Sequence, residues 1–203
     1  MKKTLFVITT LAFGLQLRTD AQQVVQVESI SVSKLEFKTQ PTPQFGAGNV
    51  EARKIPRPRE WVEVEAEFRI KANERDAVVP ELLFRYHVAV RDKEGKTKVL
   101  TGDVTHVNMV AGDDCYSAMY ISPTTMGKIT GDFKRVQASS ILAVAVEVFH
   151  NGVSKGGKSE GGAAGRWWEG GLPVEQGVLG KEKTPFALLW IDRYAEVKST
   201  GNP

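Results

Sequence analysis

The chain has 203 residues, with 27 Lys and Arg against 24 Asp and Glu and a single cysteine, Cys115. One cysteine excludes an internal disulfide, so stability must come from packing. Without the first 21 residues, 24 basic side chains face 23 acidic ones, which lacks the concentrated positive charge that nucleic-acid binding requires.

Lys2 and Lys3 precede an apolar run from Leu5 to Leu17, and Thr19-Asp20-Ala21 follows before Gln22. A cationic start, a short apolar core and a small-residue cut site describe a secretory signal, whereas a spanning helix needs about 20 apolar residues. Residues 1–21 are read as the signal peptide, cleaved after Ala21, and 22–203 as one domain of ordinary size. No cysteine follows the run to carry a lipid, and no transmembrane segment is expected in the mature chain. The location implied is exported: periplasm, cell surface or medium.

Val24 to Phe37 is expected to form a first strand. In Trp61 to Ile70 apolar residues fill the even positions from Val62 and charges the odd ones from Glu63, the period of a strand with one wet face. Residues 40–60, with Pro41, Pro43, Pro56 and Pro58, read as a long connection. Leu82 to Asp92 and Lys96 to Val110 should pair as a hairpin about Lys93-Glu94-Gly95. Tyr116 to Ile121 is a short strand, and Ser122-Pro123 offers a capping hydroxyl and a first-turn proline for a helical turn through Lys128. Ile141 to Phe149 has the near-uncharged composition of a central buried strand, and Asn151-Gly152 signals a tight turn into Val153. Residues 156–183 carry nine glycines among 28 and cannot be an ordinary helix or strand throughout. Phe186 to Val197 is read as the closing strand. About eight strands with almost no amphipathic helix predict an all-β, immunoglobulin-like antiparallel β-sandwich with long Pro-rich and Gly-rich loops and at most short helical turns.

Gly152 to Ser159 spells the phosphate-loop pattern G-x-x-x-x-G-K-S, but Glu160-Gly161-Gly162 follows where the chemistry needs a helix whose amino end completes the anion site. His87, His106 and His150 show no metal-ligand spacing, Cys115 reads as a small buried thiol in a strand, and there is no nucleophile elbow. No catalytic residue, cofactor or metal is assigned, and the chain is read as non-enzymatic. The candidate binding surface consists of Trp167 and Trp168 in their glycine-rich setting, Trp61, and the basic cluster Arg53, Lys54, Arg57 and Arg59. The two tryptophans either pin the excursion to the sandwich or stand exposed for a sugar ring or a docking strand. The cluster is either a solvated loop or a contact for an acidic surface, such as a sulfated or sialylated glycan or a partner subunit.

Together the leader, the alternating Trp61 to Ile70 strand, the hairpin at Asp92 to Gly95, the Val144 to Gly152 strand and turn and the Phe186 to Val197 run resemble those of small secreted proteins associated with type IV pilus genes in mucin-dwelling gut bacteria. The resemblance implies an immunoglobulin-like fold similar to some archaeal pilus subunits, and an assembly or adhesion role at the cell surface. Arg18, Asp20, Gln22 and Gln23 interrupt the long apolar helix by which conventional pilins polymerise, so an accessory or surface-displayed component is expected rather than a major subunit. The implied partners are other pilus or cell-envelope proteins, or a host surface protein or glycan, with homo-oligomers possible through exposed strand edges. The alternative function is a carbohydrate-binding β-sandwich module that uses exposed tryptophans.

Overall fold

In the computed structural model, residues 25–46, 56–162 and 165–199 are described. The signal peptide, Arg53 and Lys54 lie outside them. Among the described residues nine strands follow one another: β1 (Val27–Pro41), β2 (Glu60–Ala72), β3 (Val78–Arg91), β4 (Thr97–Val110), β5 (Asp114–Ile121), then the helix α1 (Pro123–Thr130), β6 (Ile141–His150), β7 (Val153–Gly161), β8 (Val174–Gln176) and β9 (Val178–Gly180). They form two layers, ordered β1-β2-β5-β9 and β7-β6-β3-β4-β8. Strands one, two and five oppose three, four, six and seven, an immunoglobulin-like sandwich with crossovers between sheets. β8 departs from the antiparallel expectation, because it joins β4 in parallel register, Val99 against Val174.

The period-two pattern of β2 sends Val62, Val64, Ala66, Phe68 and Ile70 into the interior, each at most 1% exposed. Val79, Leu82, Phe84, Tyr86 and Val88 of β3 and Val144, Val146 and Val148 of β6 meet them from the other layer. Phe68 and Phe84 touch across it with ring centroids 4.7 Å apart. Burying side chains of this size contributes about 1.5–3 kcal/mol each, which is how a chain without disulfides closes.

The local signals are met. Gly95 takes φ 81° in the β3–β4 hairpin, and Asp92 Oδ1 accepts hydrogen bonds from the amides of Glu94 and Lys96. Ser122 Oγ caps α1 by accepting from Thr125 N at 3.1 Å, and Gly131 ends it at φ 81°. Asn151 and Gly152 both have positive φ, 50° and 76°, the pair a two-residue hairpin loop demands.

Two expectations are corrected. Phe186 to Val197 forms turns and a 3₁₀ turn at Ile191–Arg193 rather than a closing strand; Val197 alone bridges His106. The edge beside β5 belongs to β9 instead, where Val178 is buried. The charged face of β2 is not wet throughout either: Glu63 is 1% exposed and Glu65 6%, while Arg69 remains exposed. The apolar run explains both, because it lies over the outside of the first layer and covers that face. Within the glycine-rich stretch β7 also runs on to Gly161. Its glycines serve close approach: an added Cβ on Gly156 would overlap Ile30 O of β1, and Lys158 Nζ reaches Ser33 O at 3.0 Å.

Candidate functional site

The C-terminal strap, residues 181–197, is anchored by Phe186, 1% exposed, which stacks on Tyr120 at 4.6 Å and meets the edge of Trp61 at 5.9 Å. Beneath it Arg193 Nη2 donates to Glu65 Oε1 at 2.7 Å and the Tyr194 hydroxyl donates to Oε2 at 2.6 Å. Burial alone would raise the Glu65 carboxyl, but these two partners outweigh it and hold the group below the ordinary carboxylate range. The Tyr120 hydroxyl donates to Glu63 Oε2 at 2.9 Å, while Glu63 Oε1 faces Lys38 Nζ at 2.9 Å without a well-directed hydrogen bond. Lys181, itself buried, donates to Ala187 O at 3.0 Å.

His106 fastens the end of the strap. Its ring is 1% exposed; Nδ1 lies 3.0 Å from Ala195 O and Nε2 2.7 Å from Ser117 Oγ. A carbonyl can only accept, so Nδ1 carries the proton and Nε2 accepts from the serine hydroxyl. Burial depresses its pKa to about 4, keeping the ring neutral. A cavity of about 200 Å³ lies against it, lined by Ala118, Ala187, Ile191 and Tyr194 among others.

At the top of the strap, anchoring fails to reach three large apolar side chains: Leu188 is 74% exposed, Ile191 61% and Trp190 49%. Trp190 has φ 51°, a left-handed conformation that costs energy for a bulky residue. Scattered apolar residues are normal on surfaces, but a cluster within one turn marks a contact site.

A second excursion, around the 3₁₀ turn Trp167–Glu169, covers the outside of the other layer. Glu147 of β6 collects three donors: Arg166 pairs with Oε1, while His87 Nε2 and Trp168 Nε1 reach Oε2 at 3.0 and 3.1 Å. The Trp168 indole stacks on the His87 ring at 5.0 Å, and Trp167 Nε1 donates to Ser159 Oγ at 2.8 Å. Burial lowers the His87 pKa against the opposing pull of Glu147. Small residues on β6 and β7, including Ala143, Ala145, Ser159 and Gly161 in register, floor the space that receives the indoles. Each layer thus buries a glutamate on its outer face, Glu65 in one and Glu147 in the other, and closes over it with an arginine and an aromatic ring from a later segment.

The candidate residues are therefore dispersed. Trp167 and Trp168 are half-buried and pin their segment, and Trp61 is half-buried under the strap. Arg57 and Arg59 are exposed, and Arg59 lies against Thr124 of α1. Lys158 sits in β7, and the strand continues to Gly161 where a helix would have to begin, so the phosphate-loop spelling has no phosphate-loop geometry. Cys115 is half-buried against the core. Among the described residues no group of three or more His, Cys, Asp or Glu is placed to hold a metal ion. Sequence reasoning missed Leu188, Trp190 and Ile191, because an apolar run signals burial and gives no sign that a strap exposes part of itself.

A protein-family model matches residues 21–201 of the chain. A crystal structure of a protein from Akkermansia muciniphila superposes with a TM-score of 0.73 and 26% sequence identity, over 87% of this chain and 96% of that one. No curated protein matches.

Proposed function

Given that the chain belongs to the family whose model covers it from residue 21 to residue 201, we propose that it is an exported, non-enzymatic component of the cell surface that acts through protein–protein contacts, as an accessory part of a pilus or other envelope assembly. The observation that carries this reading is the exposed apolar turn of Leu188, Trp190 and Ile191 on an otherwise anchored strap. Interfaces draw their energy from a few large side chains at the centre of a patch, tryptophan foremost. The turn is held from below by Phe186 and Tyr194, so displaying it requires little further ordering. The histidines support a structural role: His106 is bonded at both ring nitrogens and His87 lies under Trp168.

The leader supports export, and the family match begins beside the expected cut after Ala21. No helix among the described residues is long and apolar enough to cross a membrane; in this reading the partner bound at the strap retains the protein on the cell. The β-edges contribute less to assembly than the sequence suggested. β8 and β9 are three residues long, and β7 runs against β1. Trp167 and Trp168 spend their indole N–H groups and a ring face internally, so stacking on sugars is not their best use. Cell fractionation tests the proposal. The protein should start at Gln22, remain with the envelope, and be released to the medium by Leu188→Ser/Trp190→Ser/Ile191→Ser; a full-length cytoplasmic chain, or equal retention of the variant, contradicts it.

A further inference from the structure

Beyond the strap, the geometry points to a second binding surface: the end of the sandwich around α1 takes a linear sulfated polysaccharide on a cationic face formed by Arg59, Lys134 and Arg135, extended by Lys128 and Lys93. Arg59 is held in place by Thr124, whose Oγ1 accepts from Nη2 at 3.2 Å. One shallow groove is lined by Arg59, Pro123, Phe133, Lys134 and Arg135 together with Glu60 and Asp132, so residues more than 70 positions apart in sequence share it. The loop that presents Lys134 and Arg135 is built rather than loose. Asp132 Oδ1 accepts from the amides of Lys134 and Arg135 at 2.8 and 3.1 Å, and Gly127 leaves the space that the Phe133 ring occupies, where a Cβ would overlap it. The β3–β4 turn docks on the far end of α1, with Lys93 N donating to Ile129 O at 3.0 Å and the Lys93 stem against Gly131.

This end concentrates unspent charge, whereas elsewhere unpaired cations such as Lys155 and Lys183 stand singly. Elsewhere Arg69, Arg85, Arg166 and Arg193 each pair with a carboxylate. Among the described residues Arg59, Lys93, Lys128, Lys134 and Arg135 make no ion pair. The acids nearby are committed: Asp132 serves backbone amides, which with its neighbours hold its carboxyl low, Asp92 accepts from the Glu94 and Lys96 amides in the hairpin, and Glu94 pairs with Lys96. Glu60 is the exception, exposed and without a partner. The occupant follows from what the face lacks. A protein interface needs an apolar centre, and the groove offers one exposed aromatic, Phe133, 55% exposed. Separated cations without an apolar centre suit a chain of regularly spaced sulfates, bound through release of its counterions. The surface is separate from the strap, so its failure leaves the protein-contact proposal standing.

The test measures binding of the purified protein to heparin, to chemically desulfated heparin and to polyglutamate at a series of salt concentrations. Arg59→Gln/Lys134→Gln/Arg135→Gln is compared with Lys34→Gln/Lys71→Gln/Arg75→Gln, which removes the same charge elsewhere. We expect heparin affinity to fall about tenfold or more in the first variant and less than about twofold in the second, with the log–log salt slope reduced by about one per contacting cation. Lys134→Gln/Arg135→Gln, which alters exposed side chains without hydrogen bonds, gives a folded comparison if Arg59 proves necessary for stability. Equal losses in the two charge-matched variants, no heparin binding at low salt, or polyglutamate or desulfated heparin binding as tightly as heparin would overturn the proposal.

Discussion

Glu65 and Arg193 are separated by 128 positions in sequence and by 2.7 Å in the fold. The contact ties the last covering segment to the outer face of the second strand, and it explains why a charged position in an alternating strand can be buried. Glu65 cannot remain ionised under the strap without its partners, and the pair adds to the hydrogen bonds from His106 Nδ1 to Ala195 O and from Ala195 N to Tyr116 O that also hold the strap over that layer.

Removing one partner should cost more than removing both. Arg193→Met leaves the Glu65 carboxylate buried and half-satisfied, and we expect a loss of about 2 kcal/mol, discounted from the full cost of a broken buried pair because Arg193 is 45% exposed. Glu65→Gln/Arg193→Met should recover part of it. Urea denaturation of the native protein, Arg193→Met and the double variant checks the ordering; a double variant less stable than Arg193→Met contradicts it.

The four tryptophans should differ in accessibility. Trp61, Trp167 and Trp168 are half-buried and Trp190 is exposed, so iodide should quench a component that disappears in Trp190→Phe and persists in Trp168→Phe. Trp168→Ala, which removes the stack on His87 and a donor to Glu147, should destabilise by about 2 kcal/mol, below the fully buried range because the ring is half-buried.

Gly156→Ala should be among the most damaging small substitutions in the chain, because its methyl group meets the Ile30 carbonyl and forces β1 and β7 apart. A loss of about 3 kcal/mol is expected, against a far smaller effect for Lys158→Ala, which removes one exposed hydrogen bond to Ser33 O. Thermal melts of both decide this. The reverse ranking would mean that the G-K-S spelling is there for its lysine.

Acid should loosen the strap through His106. Its folded pKa, about 4, lies below the unfolded value near 6.5, so the unfolded chain binds the extra proton first. The contribution is complete above pH 6.5, declines as the pH falls toward 4, and amounts to roughly 3 kcal/mol over that window. The depressed carboxyls of Glu65 and Glu147 add losses only below about pH 4.5. Stability measured from pH 7 to 5 should therefore slope downward in the native protein and less steeply in His106→Gln, where His87 and His150, whose pKa values burial also lowers, keep part of the slope; identical slopes would contradict the assignment.

The sandwich was legible wherever a strand meets one environment per face. Val62 to Ile70, the Gly95 hairpin, the Ser122 cap and the Asn151-Gly152 turn all follow from local rules. What escaped were relationships between distant segments. The alternation at Glu63 and Glu65 marks a second face, but only a run more than 100 residues later decides that the face is covered. The same run looks like a strand because Phe186, Leu189 and Tyr194 need burial, and nothing local says that they find it outside the sheet. β7 was obscured by glycines whose reason is the backbone of β1 at Gly156 and of β6 at Gly157 and Gly161. The basic cluster was legible only in part, since Lys134 and Arg135 join Arg59 through the turn that follows α1.

The central claim is that the strap turn is the protein's contact surface with another protein, and a photo-reactive amino acid placed in living cells tests it most directly. Position 190, on the turn, should yield a discrete cross-linked adduct with a second protein, while position 153, 58% exposed on the Asn151-Gly152 hairpin, should yield none. Adducts at both positions in equal amount, or none at 190 in cells that carry the protein on their surface, would contradict it.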